Sequence, residues 1–108
     1  MTSSTSDRLG LPDSHRRQEV LQRLQHERNG RLTQLQAMEA AEPSDNKELM
    51  AAQAAAVRVV LSEIEAAERR VEDGAYGDCQ ACDVRIPLER LEILPYVRYC
   101  VRCQQRHL

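Results

Sequence analysis

The residues in this chain whose types and spacing most directly point to chemistry are its four cysteines. They form two pairs, Cys79-x-x-Cys82 and Cys100-x-x-Cys103, separated by seventeen residues. A Cys-x-x-Cys turn aims two thiolates at one point, and two such turns complete a tetrahedron around zinc with Zn–S bonds of ~2.3 Å. Four sulfur ligands close the shell and leave no position for water or substrate, so a metal held this way is structural. The competing reading is a disulfide or a redox dithiol. A thioredoxin-like dithiol would sit beside a βαβ pattern, and no such pattern occurs in this sequence.

A small chain has reason to carry such a staple. At 108 residues it reads as one domain, near the size at which burial alone gives modest stability. It has no Phe or Trp, and its three tyrosines, Tyr76, Tyr96 and Tyr99, all lie in or beside the cysteine region. The first seventy residues are therefore expected to be elongated. Between the cysteine pairs, Ile86, Leu88, Leu91, Ile93 and Leu94 predict a short helix that opens at Pro87 and ends at Pro95. Val97, Tyr99 and Val101 alternate as a strand or a turn would, any terminal helix is short, and His107 is expected in solvent.

The elements upstream must position this module. Residues 1–13 are rich in Ser and Thr and are expected to be a disordered leader. From about Ser14 a polar helical stretch carries Val20, Leu21, Leu24, Leu32, Leu35 and Met38. Leu21 and Leu24 recur eleven residues later as Leu32 and Leu35, close to three helical turns. Asn29-Gly30 costs about 1 kcal/mol of helix propensity and marks a weak point or kink. The segment EAAEPSDNKEL then holds the only proline between residues 13 and 86, so helix, sharp turn and helix follow. Asp45, three residues before Glu48, predicts a capping-box start near residue 45, with Ser44 as the alternative cap. The expected seam of the second helix is Met50, Gln53, Val57, Val60, Ile64, Ala67 and Val71, and Gly74 supplies its left-handed C-cap.

Two stripes of this kind, joined by a short turn, bury each other as an antiparallel coiled coil about 40 Å long. The alternative is that the second helix pairs with another chain. The fold expected is mainly α: a two-helix coiled-coil hairpin over residues 14–73, its tip near 42–47, followed by a four-cysteine zinc finger over 74–108 that contains a short helix.

Charge narrows the function. The net charge of −2 divides as +1 over residues 1–41, −5 over 42–78 and +2 over 79–108. An acidic middle without a basic block argues against gripping nucleic-acid phosphates. The N-terminus lacks a signal-peptide core and no apolar run is long enough to span a bilayer, so a cytoplasmic protein is expected. No nucleophile stands beside a fixed base and no glycine-rich phosphate loop occurs, which argues against an enzyme.

Residues 71–104, VEDGAYGDCQACDVRIPLERLEILPYVRYCVRCQ, resemble the DksA/TraR family of bacterial transcription factors. The resemblance runs from the Asp-Gly-x-Tyr-Gly approach at Asp73 to Gly77, through Ile-Pro-x-x-Arg-Leu-Glu at Ile86 to Glu92 and Leu-Pro, to all four cysteines. It implies one structural zinc and an RNA polymerase partner, with the hairpin inserted into the secondary channel to modulate initiation without reading DNA sequence. It also implies a role in the stringent response, in many members with guanosine tetraphosphate. The family's tip reads Asp-x-x-Asp-x-Ala; here Glu42 and Asp45 keep two carboxylates at the matching spacing, while Lys47 replaces the small Ala. The second helix also looks one to two turns shorter than in well-known members. Arg98, Arg102 and Arg106 are the candidate polymerase-facing basic patch, and a basic cluster for a nucleotide is not obvious. A monomer is expected, and the runner-up is a zinc-stapled coiled-coil adaptor that docks on another protein, or occupies the channel without regulating catalysis.

Overall fold

The computed structural model describes residues 13–42 and 45–106, with side chains from Arg16 onward. Two long helices dominate it: α1, Asp13–Ala40, and α2, Lys47–Asp73. Two single-turn helices follow, α3 over Leu88–Ile93 and α4 over Val101–Arg106. The described residues contain no strand beyond one antiparallel bridge between Asp78 and Arg85. At ~1.5 Å per residue each long helix is ~40 Å long, and the molecule measures 62 × 31 × 21 Å along its principal axes. The expected hairpin and its short downstream helix are therefore present, while the disordered leader and His107 fall outside the described residues apart from Asp13, which opens α1.

α1 is rich in Leu, Gln and Arg, all good helix formers, and it runs unbroken through Asn29-Gly30. The helix does not break there, because one glycine inside a helix of this length costs only ~1 kcal/mol, and the flanking turns absorb that cost. α1 packs antiparallel on α2 through Val20, Leu21 and Leu24 against Val60, Ile64, Ala67 and Val71. Leu24 and Ile64 are both 0 % exposed. Ion pairs also cross the seam: Arg28 to Glu68 at 3.7 Å and Arg58 to Glu39 at 3.0 Å. Half in water, each contributes ~1 kcal/mol at most.

The α2 seam corrects the expected phase. Ala54, Val57, Leu61, Ile64, Ala67 and Val71 are buried, whereas Gln53 is exposed and Val60 only half-buried. Rotating the helix this way keeps the Gln53 amide hydrated and buries Leu61; an unbonded buried amide costs more than the heptad register gains. The start of α2 also differs. Its N-cap is Asn46, with φ −102° and ψ 44° and no side-chain capping bond, so Asp45 does not close a capping box. Ser44 lies outside the described residues. The C-terminus ends as expected. Gly74 takes φ 78°, its N–H donates to Val71 O at 3.2 Å, and the Ala75 N–H donates to Arg70 O at 2.9 Å. This is a Schellman closure, which requires the left-handed conformation that glycine adopts freely.

Tyr76 joins the two halves. It packs against the helical seam and against a second cluster made of Cys79, Ile86, Leu91, Val97 and Cys103. Its hydroxyl donates to Pro95 O at 2.8 Å, and burial pushes its pKa up to about 12. Tyr96 also covers the base of the seam. The tyrosines thus supply, at the neck, the aromatic packing that the hairpin lacks.

Candidate metal centre

The first cysteine pair sits on a tight turn closed by its own backbone. The Cys79 N–H donates to Val84 O at 2.8 Å, and the Asp83 N–H returns to Cys79 O at 2.9 Å. Asp83 takes φ 64° to complete the reversal, a conformation that Asp tolerates better than most residues. Below the turn, the Ile86 N–H donates to Gly77 O at 2.8 Å, and Arg85 reaches Asp78 and the Tyr76 carbonyl. Gly77, at φ 92°, lies under this guanidinium, and a Cβ there would meet Arg85 Nη2 at 3.1 Å.

The second pair straddles the start of α4. Cys100 precedes the helix, Cys103 lies inside it, and the Gln104 N–H donates to Cys100 O at 2.9 Å. The stretch from Val97 to Cys100 forms no strand. Instead the Gln80 N–H, between the first two cysteines, donates to Arg98 O at 2.8 Å, and this bond brings the two turns together. α3 packs beside them through Leu91, starting after Pro87 at its N-cap and ending before Leu94.

The four sulfurs converge. All lie within 4.8 Å of one another, and Cys82 Sγ and Cys100 Sγ are 3.9 Å apart. A disulfide needs ~2.05 Å. A regular tetrahedron with ~2.3 Å bonds has edges of ~3.8 Å, so the donor set fits zinc. Cys79 and Cys103 are buried, Cys100 is half-buried and Cys82 faces solvent.

Electrostatics divide the thiols. Burial alone would raise Cys79, but the backbone N–H groups of Cys100, Ala81 and Cys82 outweigh it and bring its pKa down to about 6. Burial, together with the three neighbouring cysteines, pushes Cys103 up to about 12. At Cys82 the Val84 N–H favours the thiolate, yet partial desolvation beside the other sulfurs and the contacts with Cys79 and Cys100 prevail and raise its pKa. Four crowded thiols resist accumulating negative charge, and a divalent cation removes that resistance. The amides that stabilise Cys79 also orient the sulfurs for the metal.

The other expected site residues lie apart. Glu42 and Asp45 are exposed at the turn between α1 and α2, at the far end of the hairpin from the cysteines, and Lys47 opens α2 beside them. The basic patch divides. Arg102 and Arg106 are exposed on α4, but Arg98 turns inward and forks onto Glu63 of α2 at 2.8 and 3.0 Å. A carboxylate positioned for a bidentate bond offers more than water does, so Arg98 is withdrawn from the patch.

Arg70 is the residue that sequence reasoning passed over. It is only 8 % exposed and donates through Nη2 to Tyr96 O at 3.5 Å and Val97 O at 3.4 Å. Burial, and then Arg98, lower its pKa. Its position was a signal: one step before Val71 and three after Ala67, it stands on the apolar stripe just ahead of the glycine cap. Two anchors on α3 complete the neck, Arg23 to the Glu92 carbonyl and Arg90 Nε to Tyr99 O at 3.2 Å.

A two-helix hairpin seated on a four-sulfur zinc site defines a small zinc-finger hairpin protein. Residues 74–107 match the prokaryotic DksA/TraR C4-type zinc finger. It is 46 % identical over 50 residues to the RNA polymerase-binding transcription factor DksA of Caulobacter vibrioides, an alignment covering 46 % of this chain and 35 % of that protein. It is 43 % identical over 47 residues to general stress protein 16O of Bacillus subtilis, covering 44 % of this chain and 29 % of the other. These alignments span about a third of each relative's length. The fold resembles that of transcription factor DksA2 from Pseudomonas aeruginosa, with a TM-score of 0.53 and 23 % identity over 88 % of this chain and 81 % of that one.

Proposed function

We propose that this chain binds RNA polymerase directly and regulates transcription initiation by inserting its hairpin into the secondary channel, without catalysis of its own and without reading DNA sequence. The observation that carries this reading is the pairing of a four-cysteine zinc finger, in a chain 46 % identical over 50 residues to an RNA polymerase-binding transcription factor, with a slender hairpin that ends in exposed carboxylates. In this reading Cys79, Cys82, Cys100 and Cys103 hold one zinc and the finger serves as the handle. Glu42 and Asp45 bring negative charge to the polymerase's magnesium centre, a site at which oxygen ligands act on divalent cations. Arg102 and Arg106 face the polymerase. The protein works in the cytoplasm as a monomer, and guanosine tetraphosphate is its candidate co-effector.

The second reading is an adaptor that occupies the channel without altering initiation, and exposed Lys47 beside the tip carboxylates favours it. Co-elution of the zinc-loaded protein with core RNA polymerase, with a known secondary-channel factor as competitor, tests both readings. Displaceable binding is expected, and its absence at micromolar concentrations rejects the channel. Glu42→Gln with Asp45→Asn then separates the two: regulation lost with binding retained supports the first, and regulation unchanged supports the second.

A further inference from the structure

The zinc site and the hairpin meet at residues 96–100, and this segment is held from both sides. On the metal side it ends at Cys100, and the Arg98 carbonyl accepts the Gln80 N–H at 2.8 Å. On the hairpin side the Arg98 guanidinium forks onto Glu63 at 2.8 and 3.0 Å, while Arg70 reaches the carbonyls of Tyr96 and Val97 at 3.5 and 3.4 Å. One residue, Arg98, therefore ties the two cysteine turns together with its backbone and holds α2 with its side chain.

We propose that Arg98, with Glu63 and Arg70, transmits zinc occupancy to the base of the hairpin. With metal bound, Cys100 and the Gln80 bond fix the segment, and the segment holds α2 at two points. Once the metal leaves, four thiols crowded within 4.8 Å no longer have a common centre, the segment loosens, and α2 loses both holds. The coupling is reciprocal: whatever factor zinc contributes to the order of α2, an ordered α2 contributes to zinc affinity. This inference stands on the neck geometry alone and does not depend on which partner the protein binds.

The test uses the full chain and two readouts: zinc affinity by competition with a chromophoric chelator, and amide hydrogen exchange along α2. Glu63→Gln removes the charge from the fork without altering any residue of the zinc module. It should weaken zinc binding about two- to fivefold, the range for a partly exposed ion pair. Stripping zinc from the unsubstituted protein should speed exchange over residues 60–71 more than over residues 50–58. Leu32→Ala, a change at a 41 % exposed position of α1 remote from the neck, should leave zinc affinity unchanged and so serves as the control for substitution elsewhere in the hairpin. Unaltered zinc affinity in Glu63→Gln, an equal loss in Leu32→Ala, or α2 exchange that is the same with and without zinc would each overturn the proposal.

Discussion

The two ends of the hairpin are built differently. At the base, Leu24, Ile64 and Ala67 are 0 % exposed, and Tyr76 and Tyr96 of the zinc module cover them. Toward the tip, Leu32 is 41 % and Leu49 56 % exposed, and Met38 and Met50 are half-buried. Two helices alone shield the middle of the seam, where Val57 is 7 % and Leu61 9 % exposed. They do not enclose a large side chain fully, because each offers one face and leaves the other to water. A third layer is needed, and only the zinc module provides it. Stability is thus concentrated at the neck, while the tip presents charge on a thinly packed pair of helices.

The largest effect on this contrast should come from the metal. Cys103→Ser removes a buried ligand, and because structural zinc contributes on the order of 10 kcal/mol in small fingers, zinc content and the near-ultraviolet circular dichroism of the tyrosines should both collapse. Far-ultraviolet helicity should fall less. Acidification should act in the same direction. Protons compete with zinc for sulfur, so affinity falls as pH falls, and it falls more steeply below about pH 6, where Cys79 is protonated as well. Zinc uptake by the chelator-stripped protein should therefore release protons, more of them as pH falls, and a pH-stat titration measures this.

Packing comes next. Leu24→Ala should cost ~3 kcal/mol by urea unfolding of the zinc-loaded protein, and Leu32→Ala less than ~1 kcal/mol. Equal costs would erase the distinction between base and tip. The glycines give the smallest pair of effects. Gly74→Ala forces a side chain into the left-handed region at φ 78° and should cost ~1–2 kcal/mol. Gly30→Ala meets nothing within 4 Å and should stabilise by ~0.5–1 kcal/mol. Thermal unfolding resolves both signs.

The same contrast marks where sequence was informative. Cysteine spacing, the proline between two periodic stretches and the glycine after Asp73 are local signals, and the corresponding features stand in the fold. The seam phase was misjudged at Gln53 and Leu61, since a heptad template allowed one polar member and the hydration of a single amide decided against it. The cap at Asp45 was misjudged because Asn46 lies next to it, and near-equivalent capping residues one position apart are not distinguished by type. Arg98 and Arg70 were illegible for a different reason. Their partners, Glu63 and the carbonyls of Tyr96 and Val97, are more than twenty-five residues away in sequence, and only the folded neck brings them together.

The Schellman closure at Gly74 has a consequence for aiming. Between the last turn of α2 and the first cysteine lie only residues 74–78, so the direction in which the hairpin leaves the zinc module is fixed within one turn of chain. Over a rod of ~40 Å, a swing of about 5° at that pivot moves the far end by roughly 3.5 Å, about the width of one carboxylate. A substitution at Gly74, Gly77 or Arg85 thus redirects the tip while leaving every tip residue unchanged.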